Sequence, residues 1–203
     1  MTLPNKLTLT RIIVTPIFLL CLCIPFPHNL LVALILFIGA SITDGIDGNY
    51  ARKHGLVTDF GKFLDPLADK MLTTAAFLGF LYQGWGTGIV YVTFIILFRE
   101  FLVFSLRLTA VSSGNAVVIA ANFWGKLKTV VQMVAIIAVI TFEYLKFLDA
   151  RYFDCAIKAA GNGAIFFATD LFCDIALWIS AALTVISGVI YLVQNKKFIN
   201  PKK

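Results

Sequence analysis

SITDGIDGNYARKHGLVTDFGKFLDPLADK, residues Ser41 to Lys70, sets four aspartates, Asp44, Asp47, Asp65 and Asp69, in a chain that is otherwise mostly hydrocarbon. About 14 apolar or small residues, Leu30 to Thr43, precede Asp44; at about 1.5 Å per residue they cross only about two thirds of a bilayer core about 30 Å thick. Asp44 and Asp47 are therefore expected below the membrane surface. An acid at that depth costs about 2.5 to 3.5 kcal/mol even on a mild insertion scale, so four of them imply a compensating cation and a function.

Of the 203 residues, 60% are hydrophobic and 14% charged, and the mean hydropathy is +0.90. Such a chain reads as all-α and polytopic, one domain over residues 1–203, because the spans nearly consume it. Six transmembrane helices are predicted: Ile12 to Ile24, Leu30 to Ala51, Gly61 to Tyr82, Gly88 to Leu108, Phe123 to Leu145 and Leu171 to Val193. The first is short and, with Lys6 and Arg11 ahead of it, also resembles the start of a secretory signal. No small-residue cleavage site follows, so it is read as a span.

Lys and Arg set the orientation. With the N-terminus cytoplasmic, thirteen of the 17 fall inside, Lys146, Arg151 and Lys158 fall outside, and Arg99 lies in mid-span. The acidic cluster then opens to the cytoplasm, on what is expected to be a bacterial inner membrane. The net charge of +6 reads as anchoring to anionic headgroups plus whatever the site binds; a nucleic-acid function has no folded soluble module to rest on.

The outward connections Pro25 to Asn29 and Gln83 to Thr87 are short, whereas Lys146 to Asp170 is expected to be a surface segment or a short interfacial helix. Cys21, Cys23, Cys155 and Cys173 lack a C-x-x-C pair and read as small apolar residues, although a disulfide between Cys155 and Cys173 is open. His54 and His28 read as turn residues, and Trp85, Trp124 and Trp178 as lipid-facing or interfacial aromatics. Arg99 and Glu100, adjacent in mid-span, are expected to be structural and to pair with other groups rather than with each other.

Helical spacing supplies the chemistry. Asp44, Asp47, Gly48 and Ala51 recur at i+3 and i+4 on the second span with Arg52 at the edge of their face, and Gly61, Asp65 and Asp69 follow at i+4 on the third. If the two faces oppose, four carboxylates converge, and a hard divalent cation such as Mg²⁺ or Mn²⁺ relieves their repulsion. Pro66 frees a carbonyl near Lys62 and would allow a local distortion. Gly48, Ala51 and Gly61 would let a large planar group approach both backbones, and the Arg52 fork suits a phosphate. The bland alternative is helix packing through small residues. Their interleaving with acids on one face favours a ligand.

Asp44-x-x-Asp47-Gly48-x-x-Ala51-Arg52, eight residues, then Gly61-x-x-x-Asp65-x-x-x-Asp69 resembles the signature D-x2-D-G-x2-A-R-x8-G-x3-D-x3-D of the CDP-alcohol phosphotransferases at every fixed position. The resemblance implies a six-helix membrane enzyme that joins an alcohol to a CDP-activated group and releases CMP. It implies that Asp44, Asp47, Asp65 and Asp69 surround one or two divalent metals, that Gly48, Ala51, Arg52 and Gly61 receive the CDP moiety, and that Asp69 is the general base. Displacement at phosphorus needs oxygens neutralised and a nucleophile aimed, which agrees with those roles. By the residues alone, Asp69 is either a base or a further ligand.

LPNKLTLTR (Leu3 to Arg11), FREFLVFSLR (Phe98 to Arg107) and WGKLKTVVQM (Trp124 to Met133) resemble the phosphatidylglycerophosphate synthase branch of that family, which reads PN-x-LT, RE…LR and GK-x-KT-x-x-QM. That branch implies CDP-diacylglycerol as donor and glycerol 3-phosphate as acceptor. Arg107, Lys126 and Lys128 flank the loop Thr109 to Phe123 and are the candidates for the acceptor's phosphate, against the reading of ordinary inside-positive flanks. Homodimers occur in the family, and nothing in these residues marks a dimer face. Other acceptors stay open: phosphatidylglycerol, inositol phosphate or serine. A cation transporter with an intramembrane acidic path is the alternative of another class, disfavoured by a guanidinium beside the acids and by their single depth.

Overall fold

The computed structural model describes residues 3–54, 59–112, 123–152 and 163–194, with side chains for 7–43, 67, 68, 70–106, 123–152 and 167–194. Six helices and no strand occur among the described residues: α1 (Leu3–Cys23), α2 (Asn29–His54), α3 (Asp59–Gln83), α4 (Ile89–Ser112), α5 (Phe123–Tyr152) and α6 (Gly163–Gln194). The six expected spans therefore appear as six helices, each longer than the apolar stretch that predicted it. Among the described residues, the apolar stretches Ile89–Leu106, Phe123–Tyr152 and Phe167–Gln194 are by themselves long enough to cross a membrane, and α1 and α2 contribute the shorter Leu7–Cys23 and Asn29–Thr43.

α1 packs against both α2 and α3, α5 against α6 and α2, and α4 against α6 and α3, while α2 and α3 touch each other little among the described residues. Phe18, Phe37, Phe77, Phe80, Leu22, Ile96, Ile136 and Ile140 are buried between the helices. The Phe18 and Phe37 rings stand 5.5 Å apart, joining α1 to α2. Outward, Ile13, Ile35, Phe94, Phe101, Val134, Phe167 and Val189 are exposed, the apolar belt a lipid solvent requires. Hydroxyls within this hydrocarbon bond back to the preceding turn: Thr15 to the Arg11 carbonyl at 2.8 Å, Ser41 to Phe37 at 2.8 Å and Thr184 to Ser180 at 2.7 Å.

The end of the bundle away from the motif is tied by specific contacts. Gln83 donates to the Leu22 carbonyl at 2.5 Å. Gly79 lets α1 and α3 meet, since a Cβ there would stand 2.6 Å from Leu22 Cδ1. The α3–α4 turn carries Gly84, Gly86 and Gly88 at positive φ; a Cβ on Gly86 would meet Leu177 Cδ1 at 2.8 Å, so the turn lies flat on α6. Thr87 N–H donates to Asp174 at 2.8 Å, and the Trp178 indole donates to the Thr87 carbonyl at 3.0 Å. Trp178 is thus a clamp on this turn as well as an interfacial ring.

At this end one expectation is revised and one is extended. Within the segment Lys146 to Asp170, residues 146–152 continue α5 and 163–170 open α6; Lys146 bonds Glu143 at 2.7 Å and Asp170 across the two helices. Residues 153–162, with Cys155, Lys158 and Gly161, lie outside the described residues. His28 does sit in the α1–α2 turn, at φ 57°, but it is no bare turn residue. Its Nδ1 is 2.9 Å from the Tyr144 hydroxyl and its Nε2 3.2 Å from that of Tyr152, which fastens the turn to α5. Cys21, Cys23 and Cys173 are free thiols in or near the spans, as the apolar reading expected.

Candidate active site

All eight positions of the motif lie on helical backbone. Asp44, Asp47, Gly48, Ala51 and Arg52 occupy the last turns of α2, and Gly61, Asp65 and Asp69 the first turns of α3. α2 ends at His54 and α3 begins at Asp59, so Asp44 and Asp69 each stand ten residues from the connection, about 15 Å along their helices. Asp47 and Asp65 are likewise level, about 10 Å along. Counted from the connection along each helix, the four acids thus form two rungs in sequence, while α2 and α3 themselves touch little among the described residues. α3 runs on through Pro66 without a break in its assigned helix. The side chains of these eight residues and of Arg107 lie outside the described set, as do residues 113–122 next to Arg107. Among the described residues no group of three acids, histidines or cysteines forms a metal site.

Beside the acids the described side chains form an ion cluster. Lys70, the residue after Asp69, pairs with Glu100 on α4; Lys128 on α5 pairs with the same carboxylate. Arg99 Nη1 donates to Glu100 Oε1 at 3.3 Å, and its Nη2 donates to Ser187 on α6. The adjacent pair thus does interact, contrary to expectation, while each member also has the cross-helix partners that were expected. Neighbours on a helix point about 100° apart, yet the Arg and Glu stems are long enough to fold toward each other. Glu100 and Lys128 are both buried, at 8% and 4% exposure. Removing one partner of such a pair strands a charge, at a cost of about 3 to 5 kcal/mol.

Of the three acceptor candidates, Lys128 is therefore inside the bundle with a carboxylate partner, whereas Lys126 is exposed on the first turn of α5. Arg107 stands on α4 near the same end. The chain also brings in a cation that sequence reasoning assigned only to the inside flank. Arg11 is 2% exposed. α1 and α3 meet at Leu22 and Gly79, and Arg11 and Asp69 both stand toward the ends of these helices away from that contact. A buried guanidinium stays charged, so it adds positive potential at that end. Its position on the buried side of α1, shared with Thr8, Thr15 and Phe18, was the available signal: those residues recur at helical spacing.

A family profile described as CDP-alcohol phosphatidyltransferase matches residues 1–186. The chain is similar, at 40% identity over 95% of its length and 94% of the relative's, to a CDP-diacylglycerol–glycerol-3-phosphate 3-phosphatidyltransferase of Bacillus subtilis (strain 168). It is 36% identical to a protein of the same name from Rickettsia bellii (strain RML369-C), over 97% of this chain and 96% of that one. A probable phosphatidylglycerophosphate synthase of Mycobacterium tuberculosis (strain ATCC 25618 / H37Rv) is 44% identical over 66% of this chain and 63% of its own.

Proposed function

The chain belongs to the CDP-alcohol phosphatidyltransferase family, and from that membership we propose that it transfers the phosphatidyl group of CDP-diacylglycerol to glycerol 3-phosphate, giving phosphatidylglycerophosphate and CMP. The observation that carries this reading is similarity over nearly the whole chain to relatives named for that reaction, joined to a helical pair that carries all eight motif positions.

Asp44, Asp47, Asp65 and Asp69 are the residues that would hold Mg²⁺ or Mn²⁺; carboxylates are the donor type such hard ions take. Bound there, the ion would neutralise the diphosphate oxygens of the donor. Gly48, Ala51 and Gly61 leave the helix faces open for the cytidine, and Arg52 supplies a fork for phosphate. Asp69, on the deeper rung, takes the proton of the acceptor hydroxyl as its oxygen bonds to the phosphatidyl phosphorus. The bond from that phosphorus to CMP breaks, and CMP leaves with the electron pair. Arg107, Lys126 and Lys128 meet the acceptor's phosphate at the same end of the bundle. On the bias of Lys and Arg the site faces the cytoplasm; a bacterial inner membrane is the expected location.

The test is CMP release by the purified protein supplied with CDP-diacylglycerol and, in turn, glycerol 3-phosphate, phosphatidylglycerol, inositol phosphate and serine. Release that depends on glycerol 3-phosphate is expected. Preference for another acceptor would replace the substrate and leave the chemistry, and no release with any acceptor would remove the transferase reading.

A further inference from the structure

Glu100 belongs to neither carboxylate stripe, yet it is the acid on which three cations converge. One oxygen accepts from Lys70 on α3; the other accepts from Lys128 on α5 and from Arg99 on its own helix, and Arg99 continues to Ser187 on α6. A single carboxylate thus links α3, α4, α5 and α6. Gly188 allows the last of these joints, since a Cβ there would stand 3.0 Å from Arg99 Cγ. Lysine carries its charge on a flexible four-carbon stem, so an ammonium with 4% residue exposure is located by the oxygen it bonds rather than by its own rotamers. Lys70 adjoins Asp69, and Lys128 is a proposed ligand of the acceptor's phosphate.

We propose that Glu100 is a positioning residue for the acceptor: it fixes the Lys128 ammonium and, through Lys70, couples that ammonium to the turn of α3 bearing Asp69, so that the acceptor's phosphate and its attacking hydroxyl are placed by one rigid network. The inference rests on the reading of Lys128 as a phosphate ligand. A carboxylate that only stapled the bundle would act differently, lowering the folded fraction or disturbing both substrates alike.

Steady-state kinetics separate the two. Glycerol 3-phosphate and CDP-diacylglycerol are varied independently for the full chain and for Glu100→Gln, Lys128→Met and the double variant. Glu100→Gln is expected to raise the KM for glycerol 3-phosphate by about tenfold or more with the KM for CDP-diacylglycerol within about twofold. The double variant should show the acceptor KM of Lys128→Met alone, because both changes act through one ammonium. If Glu100→Gln fails to fold, Glu100→Asp, which keeps the carboxylate on a shorter stem, is expected to fold and to raise the acceptor KM with the same selectivity. Equal changes toward both substrates, or effects that multiply in the double variant, would overturn the role. A raised acceptor KM in Lys128→Met with none in Glu100→Gln would overturn it while sparing the reading of Lys128, and an unchanged KM in Lys128→Met would remove both.

Discussion

At the scale of single residues, the chemistry divides between groups whose partners are fixed by spacing and groups whose partners are fixed by packing. Asp69 is of the first kind. If it is the base, Asp69→Asn should keep binding CDP-diacylglycerol while turnover falls by at least about a hundredfold, as donor binding and single-turnover rates would register; loss of donor binding instead would make it a ligand alone. Arg107 and Lys126 give a second prediction. Arg107→Ala and Lys126→Ala should each raise the KM for glycerol 3-phosphate by about tenfold or more, the scale of a charge-assisted phosphate contact, and change that for CDP-diacylglycerol little, with equal losses refuting selective acceptor binding. The helical placement of the four aspartates was legible in the sequence because i+3 and i+4 spacing on a helix is a local property. The pairing of Glu100 with Lys70 and Lys128 was not, since those residues lie 30 and 28 positions away and meet only once α3, α4 and α5 are side by side. The burial of Arg11 was not legible for a related reason: a buried arginine and a flanking one look alike until the helix that covers them is known.

At the scale of elements, close helix approach depends on particular small residues. Leu22 is fully buried against Gly79 and has no room to yield, so Gly79→Leu should destabilise the α1–α3 contact by about 1 to 3 kcal/mol, the usual penalty of overpacking. Gly39 sits in α2 with nothing within 4 Å of an added Cβ. Gly39→Ala should therefore be neutral or stabilising by up to about 1 kcal/mol through helix propensity. Thermal unfolding in detergent compares the two, and equal effects would show that α1 and α3 do not meet at Gly79. Helix number and order could be read from hydropathy; helix ends could not. Lys146 and Asp170 look like loop residues by composition, but they stand on α5 and α6 and pair across the two helices.

At the scale of the whole molecule, the helices alternate in direction, which gathers the ends of α2, α4 and α6 with the starts of α1, α3 and α5, and on the Lys and Arg bias that end is cytoplasmic. In a background with the four native cysteines replaced by alanine, Thr58→Cys should be labelled only from the cytoplasmic side and Gly161→Cys only from the other. The reverse pattern would turn the site outward. The central claim, that the two rungs of aspartate hold a divalent ion for phosphatidyl transfer to glycerol 3-phosphate, meets its most direct test in glycerol 3-phosphate-dependent CMP release by the purified protein, measured across a titration of Mg²⁺ or Mn²⁺ after chelation. The account predicts no release in excess EDTA, full recovery on adding either ion, and a higher ion requirement in Asp44→Asn, Asp47→Asn and Asp65→Asn. Full turnover in excess chelator would contradict it.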